Sequence, residues 1–306
     1  MRFLRFVHPS NEIHLALRRG DEVVDLTAAA RRFTGRELLS VTSLPHEDSL
    51  ASVRALADSA ASNPDLVFQY QNLRLDAPIR DVPKLLALAG NFRKHIVESG
   101  FREVEREERI TPQVFCKPPS TTLNGPDGLI PLRASNVFLD WEVELAVIIG
   151  KRGRDISAED ALSHAFGYTV INDISERQFN GGMKERNVRE FDPFFDWLLG
   201  KWFDGSAPLG PEIVTADEIT NPHQLNLQLS LNGEVMQSSN TSQMIFDIPQ
   251  TIAYISSVLT LEPGDVIAMG TPDGVGKARG IRLQPGDRMR AEIEGIGALE
   301  TRIAGE

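Results

Sequence analysis

Between residues 141 and 150 the chain reads Trp-Glu-Val-Glu-Leu-Ala-Val-Ile-Ile-Gly, an alternation with a period of two that predicts a β-strand. In that register Glu142 and Glu144 share one face, while Val143, Leu145 and Val147 share the other. The acidic face continues as Ala146 and Ile148, so it does not stay polar along its length. A second apolar run, 166–171, predicts another strand that stops at Asn172-Asp173. Near the N-terminus, residues 3–7, 14–17 and 22–26 predict short strands with a turn at Gly20-Asp21. Alanine and leucine spacing predicts a helix over 49–61. Two prolines, Pro78 and Pro83, exclude a helix from 75–83, which reads as a linker before the apolar strand 85–90. Further on, Asn232-Gly233 predicts a hairpin turn. Pro263-Gly264 and Pro285-Gly286 predict turns feeding strands 266–269 and 289–293. Helices are expected at 158–165 and 248–259. This mixture predicts a β-rich α/β fold with a highly twisted or barrel-like sheet, divided into a small α+β unit (1–75) and a larger one (76–306).

Composition narrows the function classes. The 306 residues are 41% apolar, enough for a substantial core, and carry a formal net charge of −11 with scattered basic residues. That balance argues against nucleic acid or an anionic membrane as partner. Residues 1–8 contain no continuous apolar stretch of signal-peptide type, and no run approaches bilayer length. A single cysteine, Cys116, excludes an internal disulfide and fits a reducing cytoplasm. Its setting, Val114-Phe115-Cys116, reads as a small core residue.

Several positions carry candidate chemistry. Two carboxylates on one strand face repel each other unless a positive charge lies between them. With Asp173 closing the same site they offer three hard oxygen ligands for a divalent cation. The same pattern also suits a half-buried strand with its glutamates in water. If 91–100 is helical, His95 and Glu98 lie on one face. A carboxylate beside an imidazole fixes its tautomer and suits a general base acting on water. Glu98 could equally pair with Lys94 at the surface. Lys117 ends an apolar strand and Lys201 lies among large apolar side chains. Either lysine suits a proton donor or oxyanion partner with a lowered pKa, or an ordinary chain snorkelling to water. The segment Gly270-Thr271-Pro272-Asp273-Gly274-Val275-Gly276 permits close backbone approach to a small anion, with the Thr271 hydroxyl beside it. Its glycine spacing is not that of a dinucleotide-binding loop.

In this order the motifs Ala89-Gly90-Asn91, His95-x-x-Glu98, Phe115-x-Lys117-Pro118, Asp140-x-Glu142-x-Glu144-Leu145, Asn172-Asp173-Ile174-Ser175, Gly200-Lys201, Pro208-Leu209-Gly210-Pro211, Gln237-Ser238-Ser239-Asn240-Thr241 and the 270–276 segment resemble the fumarylacetoacetate hydrolase family, over about 85–303. The resemblance implies a mixed β-roll catalytic unit behind a small variable first domain, as in two-domain bacterial-type members, and usually a homodimer. It implies Glu142, Glu144 and Asp173 as ligands of Mg²⁺ or Mn²⁺, with Ca²⁺ also possible. It implies His95 and Glu98 as the water-activating pair, and Lys201 as a catalytic cation. Arg177, Thr271 and Gly270 would contact substrate oxygens, with Lys117 at the pocket edge. Asn180 stands where many relatives carry glutamine, and the stretch 181–192 is longer than in compact members. That stretch is either a surface excursion or a means of bringing Arg186 or Arg189 to a distal carboxylate.

The expected substrate is a small 2-oxo acid, whose carboxylate and keto oxygens chelate one metal. The expected reaction is hydrolysis of a carbon–carbon bond in a 2,4-dioxo acid of acylpyruvate type, such as fumarylpyruvate, maleylpyruvate or a diketo-deoxy sugar acid, giving pyruvate and a carboxylic acid. Isomerisation of a 2-hydroxyhepta-2,4-diene-1,7-dioate in aromatic catabolism and decarboxylation of oxaloacetate use the same enolate and stand as alternatives. A cation that serves only to staple the sheet is the non-enzymatic alternative.

Overall fold

The computed structural model describes residues 1–44, 49–102, 110–133, 137–180, 183 and 185–305. At its centre the strand Val143–Ile149 lies between Ala165–Asn172 and Val266–Ala268, antiparallel to both. These belong to a twelve-stranded sheet. Beyond Val266–Ala268 it continues through Leu85–Ala89 to an edge strand, Gln113–Lys117. In the other direction it passes through Ala207–Thr215 to the N-terminal strands Arg2–Val7, Ile13–Arg19, Glu22–Asp25 and Val67–Gln69. The hydrogen-bonded path is open at both ends, so strand pairing among the described residues does not close it into a barrel. A second sheet of five strands contains the hairpin Asn226–Leu231 and Glu234–Asn240 together with Arg288–Ile293, Gly297–Ile303 and Gly128–Ile130.

The central strand is buried at every position, because each of its faces is covered. Leu145, Val147 and Ile149 pack in one core with Leu229, Met289 and Leu299 of the five-stranded sheet. Ala146 and Ile148 pack in another with Leu26, Val53 and Ala57, from the helices Leu26–Thr34 and Ser49–Ala61. Each large aliphatic side chain so buried adds about 1.5–3 kcal/mol. The face that carries Glu142 and Glu144 therefore turns into a core, and the solvated-strand reading does not hold.

Turn chemistry sets the register. Asn232 and Gly233 take φ of 52° and 89° in the hairpin, and Gly264 and Gly286 take 88° and 87° after their prolines. The helix Ile248–Val258 starts with a capping box, in which Asp247 accepts from the Gln250 amide at 2.8 Å and the Gln250 side chain accepts from the Asp247 amide at 3.1 Å. The stretch 75–83 contains no helix, as its prolines require, but it is not loose. Leu75–Asp76 pairs with Arg2–Val7, and Ala77 and Ile79 are fully buried. The first strands join the rest of the sheet directly, through Arg2–Val7 against Ala207–Thr215.

Two expectations need correction. Within 158–165 residues 158–160 form a turn and only Ala161–His164 is helical, as a 3₁₀ helix that ends where Ala165 is taken into the strand opposite Ile149. Cys116 is exposed, not a core residue. Gln113–Lys117 is an edge strand that turns Phe115 and Lys117 inward and Val114 and Cys116 outward.

Candidate active site

The site forms where the central hairpin opens. Val143 lies opposite Asn172, which sets Glu142 against Asp173 just beyond the paired residues. Two bonds fix this juncture: the Asp173 amide donates to the Glu142 carbonyl at 2.8 Å, and the Glu142 amide donates to Asn172 Oδ1 at 2.9 Å. Glu144, two residues along, shares the Glu142 face. One oxygen from each of Glu142, Glu144 and Asp173 lies within 4.8 Å of the others, and all three side chains are buried.

Three bases surround these acids. Lys201 Nζ donates to Glu142 Oε2 at 2.6 Å and to Asp173 Oδ2 at 2.7 Å. Lys117 Nζ donates to Asp173 Oδ1 at 2.5 Å and to the carbonyls of Ser206 and Ile174 at 3.0 and 3.3 Å. Arg177 pairs with Glu142 Oε1 and, through Nε, with Asp140 Oδ2 at 2.8 Å. Both oxygens of Glu142 and of Asp173 thus meet a cation. Glu144 is different: its Oε2 accepts only from the Gly270 amide at 2.7 Å, and no base pairs with it among the described residues.

The electrostatics follow. Burial works against the Glu142 anion, but Arg177, Lys201 and His95 together hold its pKa well below the usual carboxylate range. Burial and the charges of Asp173 and Glu142 push Glu144 well above that range. Burial lowers Lys117, with Asp173 opposing. Burial acts the same way on Lys201, but Asp173 and Glu142 outweigh it and raise the pKa. Arg177 is likewise raised by Glu142 and Asp140 against its burial.

Counted as ionised, the four acids Asp140, Glu142, Glu144 and Asp173 exceed the three bases by one charge, and the excess falls on Glu144, which burial and its acidic neighbours drive toward the neutral form until a cation answers it. A cation fits this set. The donors are all hard oxygens, and their separations are comparable to twice a metal–oxygen bond of about 2.0–2.6 Å.

The loop after Val266–Ala268 ties the acids to a second group. Gly270, at φ 87°, places its amide on Glu144, and a Cβ there would lie 2.7 Å from the Asn91 Cβ. Gly274, at φ 99°, places its amide 2.8 Å from Glu98 Oε2, and a Cβ there would lie 2.2 Å from the Met236 carbonyl. The other Glu98 oxygen is 2.8 Å from His95 Nδ1, on the short helix Arg93–Glu98. With Nδ1 donating to Glu98, Nε2 is the basic nitrogen. Once protonated, His95 is close enough to the cluster to help hold Glu142 ionised. The sequence leaves the backbone donors of this loop open to a small anion; in the structure the Gly270 and Gly274 amides are engaged by the protein's own carboxylates.

The remaining candidates are placed as follows. The Thr271 hydroxyl donates to the Val143 carbonyl at 3.0 Å and accepts from Gln237 Nε2 at 2.9 Å. Asn180 is half-buried, beyond the strand Ser175–Glu176. Gly181, Gly182 and Lys184 of the long 181–192 stretch lie outside the described residues. Arg186 pairs with Asp196, and Arg189 Nε is 3.0 Å from Asp192 Oδ1, so both arginines are held to the helix Asp192–Leu199.

Three residues quoted in the motifs had no assigned role. Asp140 accepts from Arg177 and from the amides of Trp141, Gly276 and Lys277. It aims the guanidinium at Glu142. Asn91 bonds the carbonyls of Phe246 and Met269 and the Phe246 amide, joining three chain segments beneath Gly270. Gln237 Oε1 accepts from the Val143 amide at 3.0 Å. For Asp140 the signal was present, since 140, 142 and 144 keep the same period of two.

Residues 84–304 match the family model described as fumarylacetoacetate (FAA) hydrolase C-terminal. The chain is 36% identical to a mitochondrial oxaloacetate tautomerase of Xenopus laevis over 299 residues, 96% of this chain and 86% of the relative. It is similar to the crystal structure of maleylpyruvate hydrolase from Sphingobium sp. SYK-6, with a TM-score of 0.76, 29% identity and full coverage of both chains. The same hydrolase in complex with manganese(II) ion and pyruvate matches with a TM-score of 0.72 and 27% identity, again over both full chains. A 2-hydroxyhepta-2,4-diene-1,7-dioate isomerase from Mycobacterium marinum matches with a TM-score of 0.70 and 26% identity, covering 100% of this chain and 99% of that one.

Proposed function

The chain belongs to the fumarylacetoacetate hydrolase family, and from that premise we propose that it is a divalent-cation-dependent hydrolase of an acylpyruvate-type 2,4-dioxo acid. The observation that carries this reading is the pairing of a buried acid cluster, one charge short of balance, with a His95–Glu98 dyad anchored by the same loop. Glu142, Glu144 and Asp173 would hold Mg²⁺ or Mn²⁺, or else Ca²⁺. When bound, the ion would supply Lewis acidity to the substrate's keto and carboxylate oxygens. His95 Nε2 would take a proton from water as it attacks the distal carbonyl carbon, while Glu98 stabilises the imidazolium. The bond between that carbon and the adjacent methylene then breaks, releasing a carboxylic acid and the enolate of pyruvate. Lys201 would face the developing oxyanion and return a proton to the methylene carbon. Arg177, Lys117, Asn180, Thr271 and Gly270 are proposed to shape the substrate pocket, and for Lys117, Thr271 and Gly270 their present bonds favour doing so by holding the acids and strands around it.

A second reading, tautomerisation of oxaloacetate, is favoured by the Xenopus relative and its match along nearly the whole chain. It needs proton transfer between carbon and oxygen but no water attack, so His95 would act as a shuttle. The isomerase neighbour keeps dienol acids in the test set. We also propose a homodimer, supported by the exposed apolar side chains Val188, Phe191, Phe194, Phe195 and Leu199 in and before one short helix.

The deciding experiment is a Mg²⁺-dependent screen of acylpyruvates, oxaloacetate and dienol acids with products resolved by mass. Pyruvate plus a carboxylic acid supports the hydrolase; enol–keto exchange without cleavage supports the tautomerase. Oxalate or pyruvate should raise the melting temperature only when Mg²⁺ is present. Equal protection in EDTA would reject chelation.

A further inference from the structure

Lys201 stands where a cation would be drawn. Its ammonium is shared by Glu142 and Asp173, at 2.6 and 2.7 Å, so it joins two of the three acids. The other bases are held from outside the cluster. Arg177 is anchored by Asp140, and Lys117 by the carbonyls of Ser206 and Ile174. Among the described residues Lys201 Nζ has no such anchor. Its other neighbours are aromatic faces, with the Phe115 centroid at 5.3 Å and the Trp197 centroid at 5.9 Å. Two π faces offer an ammonium a second resting place.

We propose that Lys201 is an internal counter-ion that an arriving divalent cation displaces, its ammonium moving from the Glu142–Asp173 pair toward Phe115 and Trp197. The proposal rests on the cation reading of the site and deepens it. An ammonium and a dication sharing these oxygens would lie within about 4 Å, where repulsion in a buried site is several times that in water. Displacement relieves it. The freed ammonium then meets the negative charge of a 2-oxo acid, so cation and substrate anion favour each other's binding although each binds weakly alone.

Calorimetric titration of Mg²⁺ into the full chain tests this. Lys201→Met should bind Mg²⁺ about tenfold more tightly than the unmodified protein, because one competing charge is gone. Equal or weaker binding in a folded variant overturns the displacement. Should Lys201→Met fail to fold, the unmodified protein provides an independent reading. Mg²⁺ should change an emission component that Trp197→Phe abolishes, and Mg²⁺ bound with no such change overturns the proposal. If the unmodified protein binds neither Mg²⁺ nor Mn²⁺, the cation reading itself falls, and this proposal with it.

Discussion

Among the described residues two clusters gather side chains of metal-binding type at similar separations, and they are built to opposite ends. The first joins His8, His14 and Asp25 among the N-terminal strands; the second joins Glu142, Glu144 and Asp173. In the first, His14 Nδ1 is 2.6 Å from Asp25 Oδ2, and Asp25 Oδ1 caps the helix Leu26–Thr34 through the Ala28 amide at 2.8 Å. His8 stacks on His14 with centroids 4.3 Å apart and planes 10° apart. Lone pairs lie in the ring planes, so stacked rings do not aim them at a common point. This cluster satisfies itself. In the second, Glu144 has one backbone donor and two like-charged neighbours. Proximity of ligand types is common to both; an acid that no base answers among the described residues belongs to one.

The comparison can be pressed at several points. Glu142→Ala or Asp173→Ala should lower Mg²⁺-dependent turnover by about a hundredfold to a thousandfold with the fold largely retained. Ordinary turnover at limiting Mg²⁺ in either variant would return the second cluster to a structural role. His95→Ala should cost about a hundredfold or more in acylpyruvate hydrolysis while sparing any decarboxylation of oxaloacetate, measured side by side. Equal losses would mean that His95 does something other than activate water. Glu144→Gln should erase the stabilisation of about 2.7 kcal/mol that a hundredfold excess of Mg²⁺ over Kd confers. A thermal shift still following Mg²⁺ would show that the uncompensated acid is not what draws the ion. His14→Ala should destabilise the fold by about 1–3 kcal/mol, because Asp25 loses its ring partner, yet leave the Mg²⁺ response untouched. A changed Mg²⁺ affinity there would dissolve the contrast between the clusters.

The site was legible in part because its acids keep local order. Glu142 and Glu144 declare a shared face by spacing alone, and Asp173 ends an apolar strand abruptly. His95 and Glu98 are three residues apart, a distance a helix converts into contact. What escaped depends on partners remote in the chain. Nothing near Asn91 announces that it reaches Phe246 and Met269, and nothing near Lys117 announces Asp173. The helix Leu26–Thr34 was missed although both of its ends carry signals, Asp25 as N-cap and Gly35 at φ 65° as stop. The expected helix over 158–165 failed for a tertiary reason: alanine propensity yields to the strand that claims Ala165.

The amides of Gly270 and Gly274 grip Glu144 and Glu98 from a single turn of chain. Any drift of that turn would detune the proposed ion ligand and the imidazole's partner at once. Laboratory evolution toward new substrates should therefore leave this turn alone and explore elsewhere, since one misplaced methyl here would spoil two instruments together.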